Sequence, residues 1–185
     1  MTKIGIIIGS TRPGRIGEQV AKWYYEIAKM RTDAEFELID IADYDLPLLD
    51  EALPAGYNQY SQEHTKKWAA KIAEFDGFVM VTPEYNHSTS AALKNALDYL
   101  SLEWNNKAVG FVSYGSSMGV RAVEHLRQIA GELQMADVRQ QVMFSLFTDF
   151  ENFSIFKPTD GKENSVNEQL DQLIPWANAL NTVRE

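Results

Sequence analysis

The stretch Gly9-Ser-Thr-Arg-Pro-Gly-Arg-Ile-Gly17 crowds glycines, hydroxyls and two arginines between an apolar run and a helix-like segment. A turn that ends a strand and opens a helix presents free N–H groups and the positive helix end to whatever lies above it. Gly14 and Gly17 permit close backbone approach, and Ser10 and Thr11 add donors. Arg12 can meet an anion with a two-pronged contact, and Arg15 is a second candidate. The spacing is not G-x-x-x-x-G-K-[ST], and glycines at 9, 14 and 17 do not spell G-x-G-x-x-G. Two arginines and several hydroxyls suit a doubly charged monophosphate better than a bridging pyrophosphate. A solvated helix-capping turn is the plainer alternative. Asp40 stands roughly where a dinucleotide fold places its ribose-binding acid, but reads better as a strand-end residue at a turn.

A second candidate loop is Thr82-Pro83-Glu84-Tyr85-Asn86-His87-Ser88. Pro83 stops a ladder, so the N–H groups from Glu84 to His87 are expected to face outward in succession. Such donors suit the polar edge of a flat heterocycle, where they stabilise charge gained on reduction. Tyr85 offers either a planar surface or an ordinary turn tyrosine. The third loop, Gly115-Ser-Ser-Met-Gly119, matches the G-x-S-x-G of a hydrolase elbow. The one histidine after Ser117 is His125, in the same helix, where it cannot turn back onto the serine. The glycines read better as letting backbone approach a ring. His64, His87 and His125 lie on different segments and the chain has no cysteine, so no metal site is expected.

Positioning these loops requires strands and helices in alternation. Lys3–Gly9, Gly77–Pro83 and Lys107–Gly115 are continuous apolar runs of strand length, as in strands covered on both faces. Glu35–Ile41 alternates like a strand, and Val138–Phe144 is a fifth. Helical periodicity marks Gly17 to Met30, Ser61 to Phe75, Ser90 to Leu100, Val120 to Leu133 and Val166 to Leu180. This order predicts an α/β fold, a doubly wound five-stranded parallel sheet with helices on both faces and strand order 2-1-3-4-5. The crevice at the strand-order switch then lies between the first and third strands, and the three loops should meet there. Phenylalanines at 144, 147, 150, 153 and 156 read as a loop or short helix covering core, or as a subunit contact.

The chain has 185 residues, with no repeat or linker, and is read as one domain over 1–185. A formal charge of -9 argues against nucleic acid but leaves room for a small anionic ligand held by local arginines. No stretch approaches the roughly 18 apolar residues of a membrane span, and the start is not a signal peptide. A cytoplasmic protein is expected, which the lack of cysteine fits.

From Lys3 to Leu133 the sequence resembles the NADPH-dependent FMN reductase family, flavodoxin-like proteins that include quinone, azo-dye and chromate reductases. The resemblance rests on "GSTRPGRIG", on "TPEYNHSTSAALKNALD" and more weakly on "GSSMGVRA". It implies one FMN per subunit, with Ser10, Arg12 and the amides around Arg15, Ile16 and Gly17 on its phosphate. Pro83, Glu84, Tyr85 and Asn86 would line the ring, and Ser113, Tyr114 and Gly115 would lie near its other edge. It also implies ping-pong hydride transfer from NADPH or NADH through the flavin to a small-molecule acceptor, with no catalytic side chain, in a homodimer or homotetramer. Departures from the common pattern are Arg15, Gly17, His87 and Ser90. The alternatives are a flavodoxin-type electron carrier that does not oxidise NADPH, and a hydrolase using Ser117.

Overall fold

The computed structural model describes residues 1–184. The apolar runs form β1 (Thr2–Ile8), β3 (Gly77–Pro83) and β4 (Ala108–Gly115), which are buried almost throughout. β2 (Ala34–Asp40) and β5 (Ala136–Ser145) flank them and are less completely buried, each being paired along only one edge. All five strands are parallel, in the order β2-β1-β3-β4-β5, as the sequence predicts.

Two hydrophobic layers enclose the sheet. On one face α1 (Gly17–Ala28) and α5 (Lys162–Asn181) bury Val20, Tyr24, Val166, Leu170 and Leu173. On the other, α2 (Glu63–Ala73), α3 (Ala91–Asp98) and α4 (Val120–Glu132) bury Trp68, Ile72, Leu97 and Leu126, with Trp104 wedged among them. Trp68 and Trp104 satisfy their indole N–H groups on the carbonyls of Ala96 and Leu97, at 2.9 and 3.2 Å. The polar atoms of these large core side chains are thereby covered without loss.

Three features differ from expectation. α5 begins at Lys162 rather than Val166, because its first turn is polar and carries no apolar period. The β2–α2 connection contains two short 3-10 turns, Ile41–Tyr44 and Ala55–Tyr57, and exposes Leu48, Leu49, Leu53 and Tyr57. The phenylalanine series divides across a two-stranded antiparallel hairpin, β6 (Phe150–Glu151) and β7 (Ile155–Phe156). Phe144, Phe150 and Phe156 turn inward, with Trp23 edge-on to Phe144 and Phe156. Phe147 and Phe153 point out, 67% and 61% exposed, and pack on each other. Among the described residues no helix is long and apolar enough to cross a membrane.

Gly9 extends the β1–β3 pairing beyond the strand, its N–H donating to the Val81 carbonyl at 2.9 Å. A Cβ at Gly9 would lie 2.6 Å from that carbonyl oxygen, so only glycine fits. The Ser90 hydroxyl accepts from the Leu93 N–H at 3.0 Å, capping α3, and donates to the Gly9 carbonyl. Gly131, by contrast, has nothing within 4 Å of an added Cβ. Gly9→Ala is expected to lower unfolding free energy in urea by about 1–3 kcal/mol through forced backbone displacement. Gly131→Ala should raise it by about 0.5–1 kcal/mol through helix propensity.

Candidate functional site

The crevice lies above β1 and β3, where strand order reverses. At its first corner the turn after β1 folds tightly, the Arg15 N–H donating to the Arg12 carbonyl at 3.0 Å. The N–H groups of Gln19 and Val20 both turn to the Ile16 carbonyl. That leaves the N–H groups of Ile16, Gly17 and Glu18 at the open end of α1, where an intrahelical acceptor cannot exist. Ser10 is 1% exposed, and its hydroxyl lies 3.0 Å from the Tyr85 hydroxyl, linking the two loops. Arg12 is exposed, and its guanidinium sits 5.6 Å from the centre of the Tyr85 ring.

The two arginines have different employment. The Arg15 guanidinium donates to Asp40 at 2.8 Å and to Glu18 at 2.9 Å, and also to the Ser10 carbonyl. It clamps the turn to the end of β2, so what Arg15 offers a ligand is charge at second hand rather than a free fork. Asp40 also accepts the Ala42 N–H at 3.0 Å, the strand-end capping role expected for it. No ion pair among the described residues claims Arg12.

At the second corner the sequence expectation of four free amides requires correction. The Glu84 N–H donates to the Tyr114 carbonyl at 3.1 Å, because β3–β4 pairing runs one residue past Pro83. Tyr85 and Ser88 exchange both N–H···O bonds, at 2.9 and 3.1 Å, closing a tight turn. Its two central residues, Asn86 and His87, have φ of 48° and 76°, the left-handed pair that such a hairpin turn demands. Only their amides remain to face a ligand. Asparagine tolerates this geometry well, and histidine better than most side chains.

Glu84 turns inward instead of toward a ligand. Its side chain is 5% exposed and accepts from the Arg121 Nε at 2.6 Å and the Arg121 backbone N–H at 3.2 Å. α4 has no side-chain cap of its own, so Glu84 supplies one from the loop after β3 and places a carboxylate at the positive helix end.

The third loop is pinned from below. The Ser113 hydroxyl donates to the Met118 carbonyl at 2.6 Å and accepts from the Gln141 amide at 2.8 Å, so it holds the turn rather than facing the crevice. Gly119 has φ of 72°, and a Cβ there would fall 2.6 Å from that of Ser113. The Ser117 hydroxyl meets Arg121 at 3.2 Å, whereas the His125 ring bonds the Ser88 hydroxyl at 2.9 Å. Among the described residues no base approaches Ser117, which leaves the hydrolase reading without its machinery.

Arg12, Ile16, Pro83, Glu84, Tyr85, Tyr114 and Gly115 thus line one cleft of about 310 Å³. Leu146 and Phe153 line it as well. Sequence reasoning did not assign those two to the site, although the phenylalanine spacing raised a contact near it. Glu84→Ala is expected to cost about 1–3 kcal/mol of stability in urea unfolding, by removing the α4 cap and the charged partner of Arg121 together.

Residues 2–149 match the profile of a family described as NADPH-dependent FMN reductase. An NAD(P)H-dependent FMN reductase of Schizosaccharomyces pombe is 46% identical over 135 residues, covering 72% of this chain and 68% of the relative. A 2-hydroxy-1,4-benzoquinone reductase of a Burkholderia species is 32% identical over 149 residues, 77% of each chain. The fold is shared with a Paracoccus denitrificans flavoenzyme, an NAD(P)H:acceptor oxidoreductase, at a TM-score of 0.74 and 17% identity over 97% of this chain and 98% of the other. The loops that meet over the β1–β3 switch lie within the matched span, and the chain belongs to the NADPH-dependent FMN reductase family.

Proposed function

We propose that this protein is an FMN-dependent NAD(P)H oxidoreductase that passes reducing equivalents to quinones or related small acceptors such as flavins, azo dyes or chromate. The observation that carries the reading is one cleft holding two complementary ends. Arg12 and the open N-terminus of α1 form a donor-only corner suited to a phosphate dianion. Pro83, Tyr85 and Gly115 line the other end. The Tyr85–Ser88 turn that follows leaves the Asn86 and His87 amides without a backbone acceptor, donors suited to the polar edge of a flat ring.

These residues fit FMN. Ser10, Arg12 and the amides of Ile16 and Gly17 would hold its phosphate, while Pro83, Tyr85 and Asn86 would line its ring. When bound, FMN supplies the redox chemistry, taking a hydride from NAD(P)H and giving it to the acceptor. The chain's own task is to bind, orient and shield. The Ser10–Tyr85 contact fixes the two corners relative to each other, and the Glu84–Arg121 pair fixes the turn against α4. No side chain is assigned as acid or base.

The quinone class is supported by the relatives' activities. A homodimer or homotetramer is supported by the exposed Phe147–Phe153 pair beside the cleft, which a second subunit would cover. A single domain spanning 1–185 accords with one five-stranded sheet enclosed by helices on both faces, and a cytoplasmic setting with a chain without cysteine.

The test is the visible spectrum of purified protein, followed by anaerobic stopped-flow mixing with NADPH. Rapid bleaching of a flavin band and its return on adding a quinone support the enzyme. Protein that takes up no FMN sinks the reading, and slow or absent bleaching points to an electron carrier. Arg12→Ala should weaken FMN binding by about 1.5–3 kcal/mol, the worth of a hydrogen bond to a charged group. Fluorescence titration reads this, and unchanged affinity would remove Arg12 from the phosphate site.

A further inference from the structure

Tyr114 is 4% exposed, and its hydroxyl has no hydrogen-bond partner among the described residues. Leaving a buried donor unpaired costs free energy in the unliganded protein. A phenylalanine would fill the same space without that cost, so the hydroxyl calls for a reason.

Its position supplies one. A Cβ built on Gly17 would lie 2.6 Å from the Tyr114 hydroxyl oxygen and 3.4 Å from the carbon bearing it. The tip of the phenol therefore abuts the backbone of the first turn of α1, beside the N–H groups left open there. Gly17 has no left-handed φ to require glycine. What requires it is the tyrosine beneath. Burial raises the pKa of the phenol, the neighbouring Tyr85 adds to this, and Arg12 and Arg15 oppose it. The group stays a neutral donor throughout the working pH range. The carboxylates around the crevice are each taken: Asp40 and Glu18 by Arg15, and Glu84, which lines the same cleft, by Arg121. Open donors therefore converge on this corner with no unpaired carboxylate beside them among the described residues, which is the donor set of an anion site.

We propose that the Tyr114 hydroxyl is a ligand of the bound phosphate, donating to one of its oxygens from beneath the first turn of α1, and that Gly17 lacks a side chain to leave it that path. This deepens the FMN reading above and rests on it. The family resemblance sets residues 113–115 near the ring; the structure directs this one side chain to the phosphate corner.

The test compares wild type with Tyr114→Phe in titrations with FMN and with riboflavin, which lacks the phosphate. Thermal unfolding of the flavin-free proteins accompanies them. Tyr114→Phe should weaken FMN binding roughly 10- to 100-fold, the range for a hydrogen bond to a charged group, and leave riboflavin binding unchanged. The flavin-free variant should melt no lower than wild type, since it loses an unsatisfied group. Unchanged FMN affinity in Tyr114→Phe overturns the proposal while leaving the FMN reading intact. Equal weakening of both flavins also overturns it, because the hydroxyl would then serve the ring or the shape of the cleft. Wild type that binds neither flavin, or both equally, sinks the phosphate reading itself and this proposal with it. The contact has an independent check: Gly17→Ala should destabilise the flavin-free wild type more than it destabilises flavin-free Tyr114→Phe. Additive effects would contradict the proposed packing.

Discussion

The site depends on the close approach of β1 and β3 where strand order reverses. The Gly9 N–H reaches the Val81 carbonyl with no room for a side chain between them. Two strands held this closely must send their following loops to opposite sides of the sheet, since α1 packs on one face and α3 on the other. A crevice opens between the diverging loops, and backbone donors freed by the ends of the strands line it. Ser90 reinforces the junction by bonding the Gly9 carbonyl while capping α3. Pairing, capping and the ligand site thus share a few atoms.

Around that junction the charges are sorted rather than summed. The chain carries a net charge of -9, yet the carboxylates nearest the crevice are each engaged by an arginine: Asp40 and Glu18 by Arg15, and Glu84 by Arg121. Among the described residues Arg12 is left without a carboxylate partner beside the positive end of α1. Local arrangement overrides the overall field because interactions with exposed charges beyond about 10 Å are largely screened, whereas contacts at a helix terminus act within that distance. An anionic ligand therefore meets a favourable corner on an acidic protein.

The stretch after β5 shows how one periodic pattern can serve two ends. Phe144, Phe150 and Phe156 build an aromatic cluster with Trp23 that seals the α1 side of the core. The interleaved Phe147 and Phe153 are thereby turned outward, and Phe153 reaches the cleft. A spacing of three does not state which member faces which way. The β6–β7 hairpin decides that.

Much of the architecture was legible because it rests on local chemistry. Continuous apolar runs announce strands buried on both faces, and β3 begins and ends where Gly77 and Pro83 place it. Alternation with helical stripes limits the sheet to few orders, and the turn residues after β1, β3 and β4 mark where ligands bind. The partnering of polar groups was not legible, because it depends on residues far apart in the chain. Arg15 looked like Arg12 until Asp40, from the end of β2, claimed it. Glu84 and Tyr85 looked like free amide donors until β4 and Ser88 took their N–H groups. Nothing in the spacing announced that Gln141 and Met118 engage the Ser113 hydroxyl. Composition and periodicity determined which segments become strands and helices, since hydrophobic burial depends on residue type and spacing alone. Only the tertiary structure decided which donors stay open, since a hydrogen bond is made or lost over fractions of an ångström that no spacing encodes.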